Sequence, residues 1–176
     1  MKQFFFSGVL VLLVSLTSCK NDKAIETPKV EEDKSFNVIL DLVVQKDDNF
    51  QIYYNEDGSD LYPADKYVDV AVKGKNEPQE VIFKLPEDAA PSSLRFDLGG
   101  NKEQREVKIL NFRMKYFDKK FEAKDTLFIY YFGNNNQVEY IRDKAIAKPK
   151  PIEGEPYDPI FTATESLKAE ISKMIK

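Results

Sequence analysis

Histidine and tryptophan are absent from this 176-residue chain, and cysteine occurs once, as Cys19. Without histidine there is no Ser-His-Asp or Cys-His catalytic arrangement and no imidazole site for zinc or copper. One cysteine makes neither an internal disulfide nor a CxxC redox centre. Charge of one sign is also scarce, since 26 basic against 30 acidic side chains leave a formal net charge of −4. Nucleic-acid binding needs Lys and Arg in local excess, so no nucleic-acid partner is expected. The length suits one domain with a tail, not two of ordinary size.

Long apolar runs are limited to the N-terminus. Lys2 precedes the stretch Phe4-Phe5-Phe6-Ser7-Gly8-Val9-Leu10-Val11-Leu12-Leu13-Val14, which falls short of the ~20 residues that span a bilayer. Residues 1–18 therefore read as a targeting segment. It ends in Leu16-Thr17-Ser18-Cys19: a Leu, two small residues and a Cys. This resembles the lipobox of bacterial lipoproteins. The resemblance implies that the Cys19 thiol carries a diacylglycerol and that the chain is cut before it, leaving an exported protein held on a membrane. Each buried acyl CH₂ contributes about 0.8 kcal/mol, so two or three chains anchor almost permanently. Lys20 stands where an Asp would signal inner-membrane retention in some bacteria, so the outer membrane is the expected address.

Residues 19–35 (CKNDKAIETPKVEEDKS) are polar and mixed in charge. They have too little apolar surface to offset the cost of ordering and read as a tether. The sixteen residues that follow Cys19 span about 20 Å on average and about 50 Å fully extended.

Alternation begins at Phe36. Phe36, Val38, Leu40, Leu42 and Val44 recur at every second position, which predicts a strand with one buried face. Further strands are predicted at 50–54, 67–72, 80–85, 94–98, 107–114 and 127–132, separated by turn signals such as Asn55-Glu56-Asp57-Gly58, Gly99-Gly100 and Gly133-Asn134-Asn135-Asn136. With no helical pattern between them, an all-β sandwich over residues 36–148 is expected. Residues 149–176 carry a proline-punctuated crossing (Pro149, Pro151, Pro156, Pro159) and then a short helix. Thr162 and Glu165 stand at capping-box spacing, and Leu167, Ile171, Met174 and Ile175 share one stripe. A helix so short is marginal alone. It either docks on its own domain, the expected outcome, or pairs with another copy.

The middle of the chain carries a second resemblance. Phe50-Gln51-Ile52-Tyr53-Tyr54, Leu85-Pro86, Leu94-Arg95-Phe96-Asp97 and Val107-Lys108-Ile109 follow one another in order. The series is similar to a galactose-binding-like jelly-roll module found beside bacterial glycosyltransferases and in cell-surface glycan proteins. It covers about residues 36–116 and departs from the pattern at Leu98, where those modules have Pro. The resemblance implies a β-sandwich of a kind that often holds carbohydrate. It implies no enzymatic activity, because no transferase domain accompanies it.

No catalytic residue is assigned. Asp47-Asp48, Glu56-Asp57-Asp60 and Glu87-Asp88 lie in predicted turns, and acidic turns are commonplace on exposed surfaces. No cofactor motif is present. Asn55-Glu56-Asp57-Gly58-Ser59-Asp60 is rich in oxygen and is the one candidate loop for a structural Ca²⁺, although it lacks EF-hand spacing.

Aromatics are plentiful, with nine Tyr and thirteen Phe. Phe is expected to fill the core, while Tyr sits at its boundary, where a polar tip meets water. Tyr53, Tyr54, Tyr62, Tyr67, Tyr130 and Tyr131 are the candidates for stacking on a sugar. Alternation puts one member of each adjacent Tyr pair on an outer face. Arg95 and Asp97 are two apart on one strand face and either pair with each other, as expected, or clamp a ligand. The functional expectation is a lipid-anchored, non-catalytic glycan-binding module. The alternative is a structural lipoprotein that contacts another envelope protein. The first needs exposed Tyr clustered with Asp, Asn or Arg, and the second an apolar patch including Leu167 and Ile171.

Overall fold

A computed structural model of the chain describes residues 33–176. The leader, Cys19 and nearly all of the tether lie outside them. Eleven strands form two antiparallel sheets. The first sheet contains β1 (Asn37–Val44), β4 (Lys75–Lys84), β6 (Val107–Tyr116), β7 (Lys119–Lys124), β9 (Val138–Ile141) and β10 (Ile146–Pro149). The second contains β2 (Asp48–Asn55), β3 (Tyr67–Val72), β5 (Ser93–Asp97), β8 (Phe132–Asn134) and β11 (Ile160–Ala163). Their orders are β4-β1-β6-β10-β9, with β7 on β6, and β3-β2-β5-β11-β8. The all-β sandwich with a short C-terminal helix is what the chain forms.

The period of two explains the burial. Val38, Leu40, Leu42 and Val44 point inward from β1, while Ile39, Asp41 and Val43 are half-exposed between them. Phe rings from both sheets meet in the interior. Phe96 of β5 contacts Phe50, Phe83 and Phe161, with centroids 5.7, 6.2 and 6.3 Å away, and Phe112 meets Phe132 at 5.1 Å. Each fully buried Phe contributes about 1.5–3 kcal/mol of hydrophobic stabilisation, so this cluster holds the two sheets together.

The apolar run at 127–132 is not the expected strand. It is a 3-10 turn (Asp125–Leu127) followed by one helical turn, α1 (Phe128–Tyr131), before β8 begins. Its buried members are Phe128 and Phe132, four apart, with rings stacked at 4.7 Å. That spacing is helical, and periodicity cannot separate the two states in so short a run.

The crossing also ends differently from the expectation. Residues 150–159 do not lead straight to a helix, because β11 re-enters the second sheet between β5 and β8. Thr162 is therefore a strand residue. The helix α2 (Glu165–Ile175) is capped by Thr164, whose hydroxyl accepts the Leu167 N–H at 3.4 Å and donates to the carbonyls of Tyr130 and Tyr131 at 3.0 Å. The expected stripe is real: Leu167 and Ile171 are fully buried and Met174 nearly so. The helix docks on its own domain, so the apolar patch required for association through Leu167 and Ile171 is not exposed.

Candidate functional site

The outer face of the second sheet gathers most of the expected aromatic and charged residues. Cross-strand register aligns Tyr67 of β3, Tyr53 of β2, Arg95 of β5 and Thr162 of β11 in one row. Asp69, Gln51, Asp97 and Ile160 form the next. Residues directly opposite stand about 5 Å apart at Cβ, so each row is a contact ladder. Tyr53 and Tyr67 stack with centroids 5.0 Å apart and 25° between planes. On the other side of Tyr53 lies the Arg95 guanidinium, 4.2 Å from its centroid, and the Tyr62 ring is 5.7 Å from the same guanidinium.

Arg95 holds Asp97 in a two-pronged ion pair, Nε to Oδ1 at 2.8 Å and Nη2 to Oδ2 at 2.6 Å. This is the intra-sheet pair expected from their spacing. The Asp97 carboxyl lies above the ordinary carboxylate range, chiefly because burial disfavours its charge, and the negative charge of Asp158 adds to the effect. Arg95 pulls the other way, through the charge-assisted bonds of its planar fork. Burial alone would lower Arg95, but the bond to Asp97 raises it overall. Burial likewise raises Tyr53, with the charge of Asp97 next in effect.

Tyr62 reaches this face from the β2–β3 loop. Its hydroxyl donates to the Leu94 carbonyl at 3.0 Å and lies 2.7 Å from the Ser93 hydroxyl. Beside the rows is a shallow polar depression of about 310 Å³, lined by Asn49, Gln51, Asp97, Gly99, Gly100, Tyr157 and Asp158. Gly99 has φ +80°, and a Cβ there would run into the Asp48 carboxylate. That carboxylate accepts the N–H groups of Asn49, Gly100 and Asn101. The turn signal Gly99-Gly100 thus builds one wall of the depression.

The opposite wall is fixed by amides. Gln137, almost fully buried, donates to the Pro156 carbonyl at 2.7 Å and accepts the Asp158 N–H at 2.9 Å. Asn135 donates to the Asp158 carbonyl at 2.6 Å. Both hold the backbone of Asp158 and leave its carboxylate unbonded among the described residues.

Three expected ligand residues lie elsewhere. Tyr54 points into the core at 7 % exposure, with the Lys66 ammonium 5.9 Å above its ring. Tyr130 and Tyr131 sit on α1 beside β8, at the far edge of the sheet from Tyr67, four strand spacings or roughly 19 Å away. Tyr131 packs edge-on against Phe121 at 4.9 Å, and Tyr130 is 62 % exposed. In the candidate calcium loop the oxygens have other work. Glu56 pairs with Lys66 and accepts the Ala90 N–H, Asp57 accepts the Ser59 N–H, and Asp60 pairs with Lys168. The described residues contain no cluster of three or more metal-ligating side chains.

Sequence reasoning passed over Gln51, Asn49, Tyr157 and Asp158. Gln51 was signalled by its position two before Tyr53, which puts both on one face. Asp158 had no such signal, since it reaches the site from a loop. No family model matches the chain, and no curated protein or solved structure matches it significantly.

Proposed function

We propose that this protein is a lipid-anchored cell-envelope module that binds a glycan, without catalysis, on the outer face of its second sheet. The observation that carries the reading is the Tyr67–Tyr53–Arg95 ladder bordering a depression lined by amide and carboxylate groups. Sugars offer C–H faces to aromatic rings and hydroxyl groups to planar polar side chains. Both faces of Tyr53 are covered by its neighbours, so the outer face of Tyr67 is the stacking platform, and the depression supplies hydrogen bonds. Shallow, pre-formed and rigid, it suits binding of a chain segment better than enclosure of a small substrate. A jelly-roll connection is supported by the way successive strands change sheet, from β3 to β4, β4 to β5 and β5 to β6. The anchor at Cys19 rests on the lipobox resemblance alone.

The test is a glycan array probed with the purified protein, followed by titration of the best ligand against Tyr67→Ala. Loss of one stacking ring is expected to weaken binding about tenfold, or roughly 1.4 kcal/mol. If no glycan is retained while a single envelope protein co-purifies from membranes, the structural alternative replaces this reading.

A further inference from the structure

The ladder and the depression carry an uneven charge. Asp48, Asp69, Asp97 and Asp158 stand around them against the Arg95 guanidinium and the Lys102 ammonium, which lies 5.9 Å from the Tyr157 ring, and this leaves two negative charges in excess. Arg95 has little left for a ligand, because two of its nitrogens are committed to Asp97 and its plane is covered by Tyr53. Asp69 accepts one hydrogen bond, from the Asn49 amide at 3.2 Å. Asp158 differs from both. It is exposed, its backbone is clamped on two sides, and its carboxylate has neither an ion pair nor a hydrogen bond among the described residues. It lines the depression together with Asp97, and its charge is felt at Asp97, Arg95 and Tyr53 alike.

A free, pre-positioned carboxylate accepts hydrogen bonds at about four lone-pair sites and donates none. The neighbouring Asn49 and Gln51 amides accept and donate equally well. Such a lining rewards a ligand rich in hydroxyl donors and opposes one that brings its own carboxylate, since like charges brought together at an interface repel.

We infer that the site takes a neutral glycan and turns away uronate- and sialate-type sugars, with Asp158 as the hydroxyl acceptor that sets this choice. The inference rests on the glycan-binding reading above. It adds the ligand class and the residue that selects it.

The experiment compares two sets of probes on the full-length protein in detergent: galactan, mannan and xylan as neutral polymers, and polygalacturonate and alginate as uronate polymers. Binding is expected within the neutral set only. Asp158→Asn should weaken the best neutral ligand about tenfold and narrow the neutral-to-uronate ratio by at least as much. Its thermal midpoint should stay in place, because Gln137 and Asn135 hold backbone atoms that the substitution keeps. A measurement on the unmodified protein avoids dependence on any variant. Raising salt to about 1 M, where the screening length falls to about 3 Å, should also narrow the ratio. Uronate polymers binding as tightly as neutral ones, or a ratio indifferent to both Asp158→Asn and salt, overturns the inference and leaves the glycan reading standing. Binding of neither set overturns both.

Discussion

Single residues act here chiefly by where they let the backbone go. Gly99 is the clearest case, at φ +80° and pressed against the Asp48 carboxylate that organises the turn. Gly99→Ala places a Cβ both in the left-handed region and in that carboxylate. The expected cost is roughly 2 kcal/mol, read as a lower urea midpoint. Gly100 has ordinary φ and nothing within 4 Å of an added Cβ, so Gly100→Ala should leave the midpoint nearly unmoved. A result in which the two adjacent variants behave alike would refute this account of the turn.

Asp33 is a second residue with a measurable signature. Its carboxylate accepts the Ser35 N–H and the Asn37 amide and pairs with Lys84, each at 3.1 Å. These contacts tie the entry of β1 to the end of β4. Led by the Ser35 hydrogen bond, they lower the Asp33 pKa from 3.8 to about 2. A carboxyl lowered on folding stabilises the fold fully above its unfolded pKa, and that stability is lost as pH falls through the folded value. Stability should therefore decline between about pH 4 and pH 2. Asp33→Asn should flatten that limb in acid-unfolding curves while lowering stability at neutral pH. An acid limb unchanged by the substitution would assign the decline to other carboxylates.

Among the elements, α2 depends most on its surroundings. Eleven residues are too few for a stable isolated helix. Its order comes from burying Leu167, Ile171 and Met174 against the sandwich and from the Thr164 cap. Thr164→Ala should cost about 1 kcal/mol through the lost cap. Ile171→Ala should cost about 2–5 kcal/mol through a cavity in a fully buried position. Both are measurable by chemical denaturation, and equal effects from the two would argue against the helix being held mainly by packing. Placement of this helix was partly legible beforehand. The stripe is visible in the sequence, but the capping-box spacing points to Thr162, whereas Thr164 is the cap. That spacing could not reveal that residues 160–163 are needed to fill the gap between β5 and β8. The charged strand β7 and the short strands β9 and β10 escaped for a related reason. Each has few inward side chains, and their pairing, not their pattern, makes them strands.

Across the whole molecule, the proposed address and the fold rest on different parts of the chain. Cys19→Ser is expected to move the protein from the membrane pellet to the soluble fraction after cell fractionation. Retention in the membrane with normal leader cleavage would remove the lipoprotein reading and leave the glycan site untouched. The fold itself is assembled from distant segments. Tyr53 and Tyr67 come from adjacent strands, Arg95 and Asp97 from β5, and Asp158 from the loop before β11, about a hundred residues beyond Tyr53.

Local chemistry in the chain was enough to point to where the strands of the first two-thirds run and to the pairing of Arg95 with Asp97. Each of these depends on neighbours within a few residues: a period of two, a turn glycine, a spacing of two on one face. The tertiary structure alone decided that Tyr53 looks out while Tyr54 looks in, that Tyr130 and Tyr131 belong to a helical turn at the far edge, and that Asp158 lines the depression with Asp97. Those outcomes depend on which strands become partners. Pairing is chosen by burying Phe rings from both sheets together, a balance that only the assembled chain can strike.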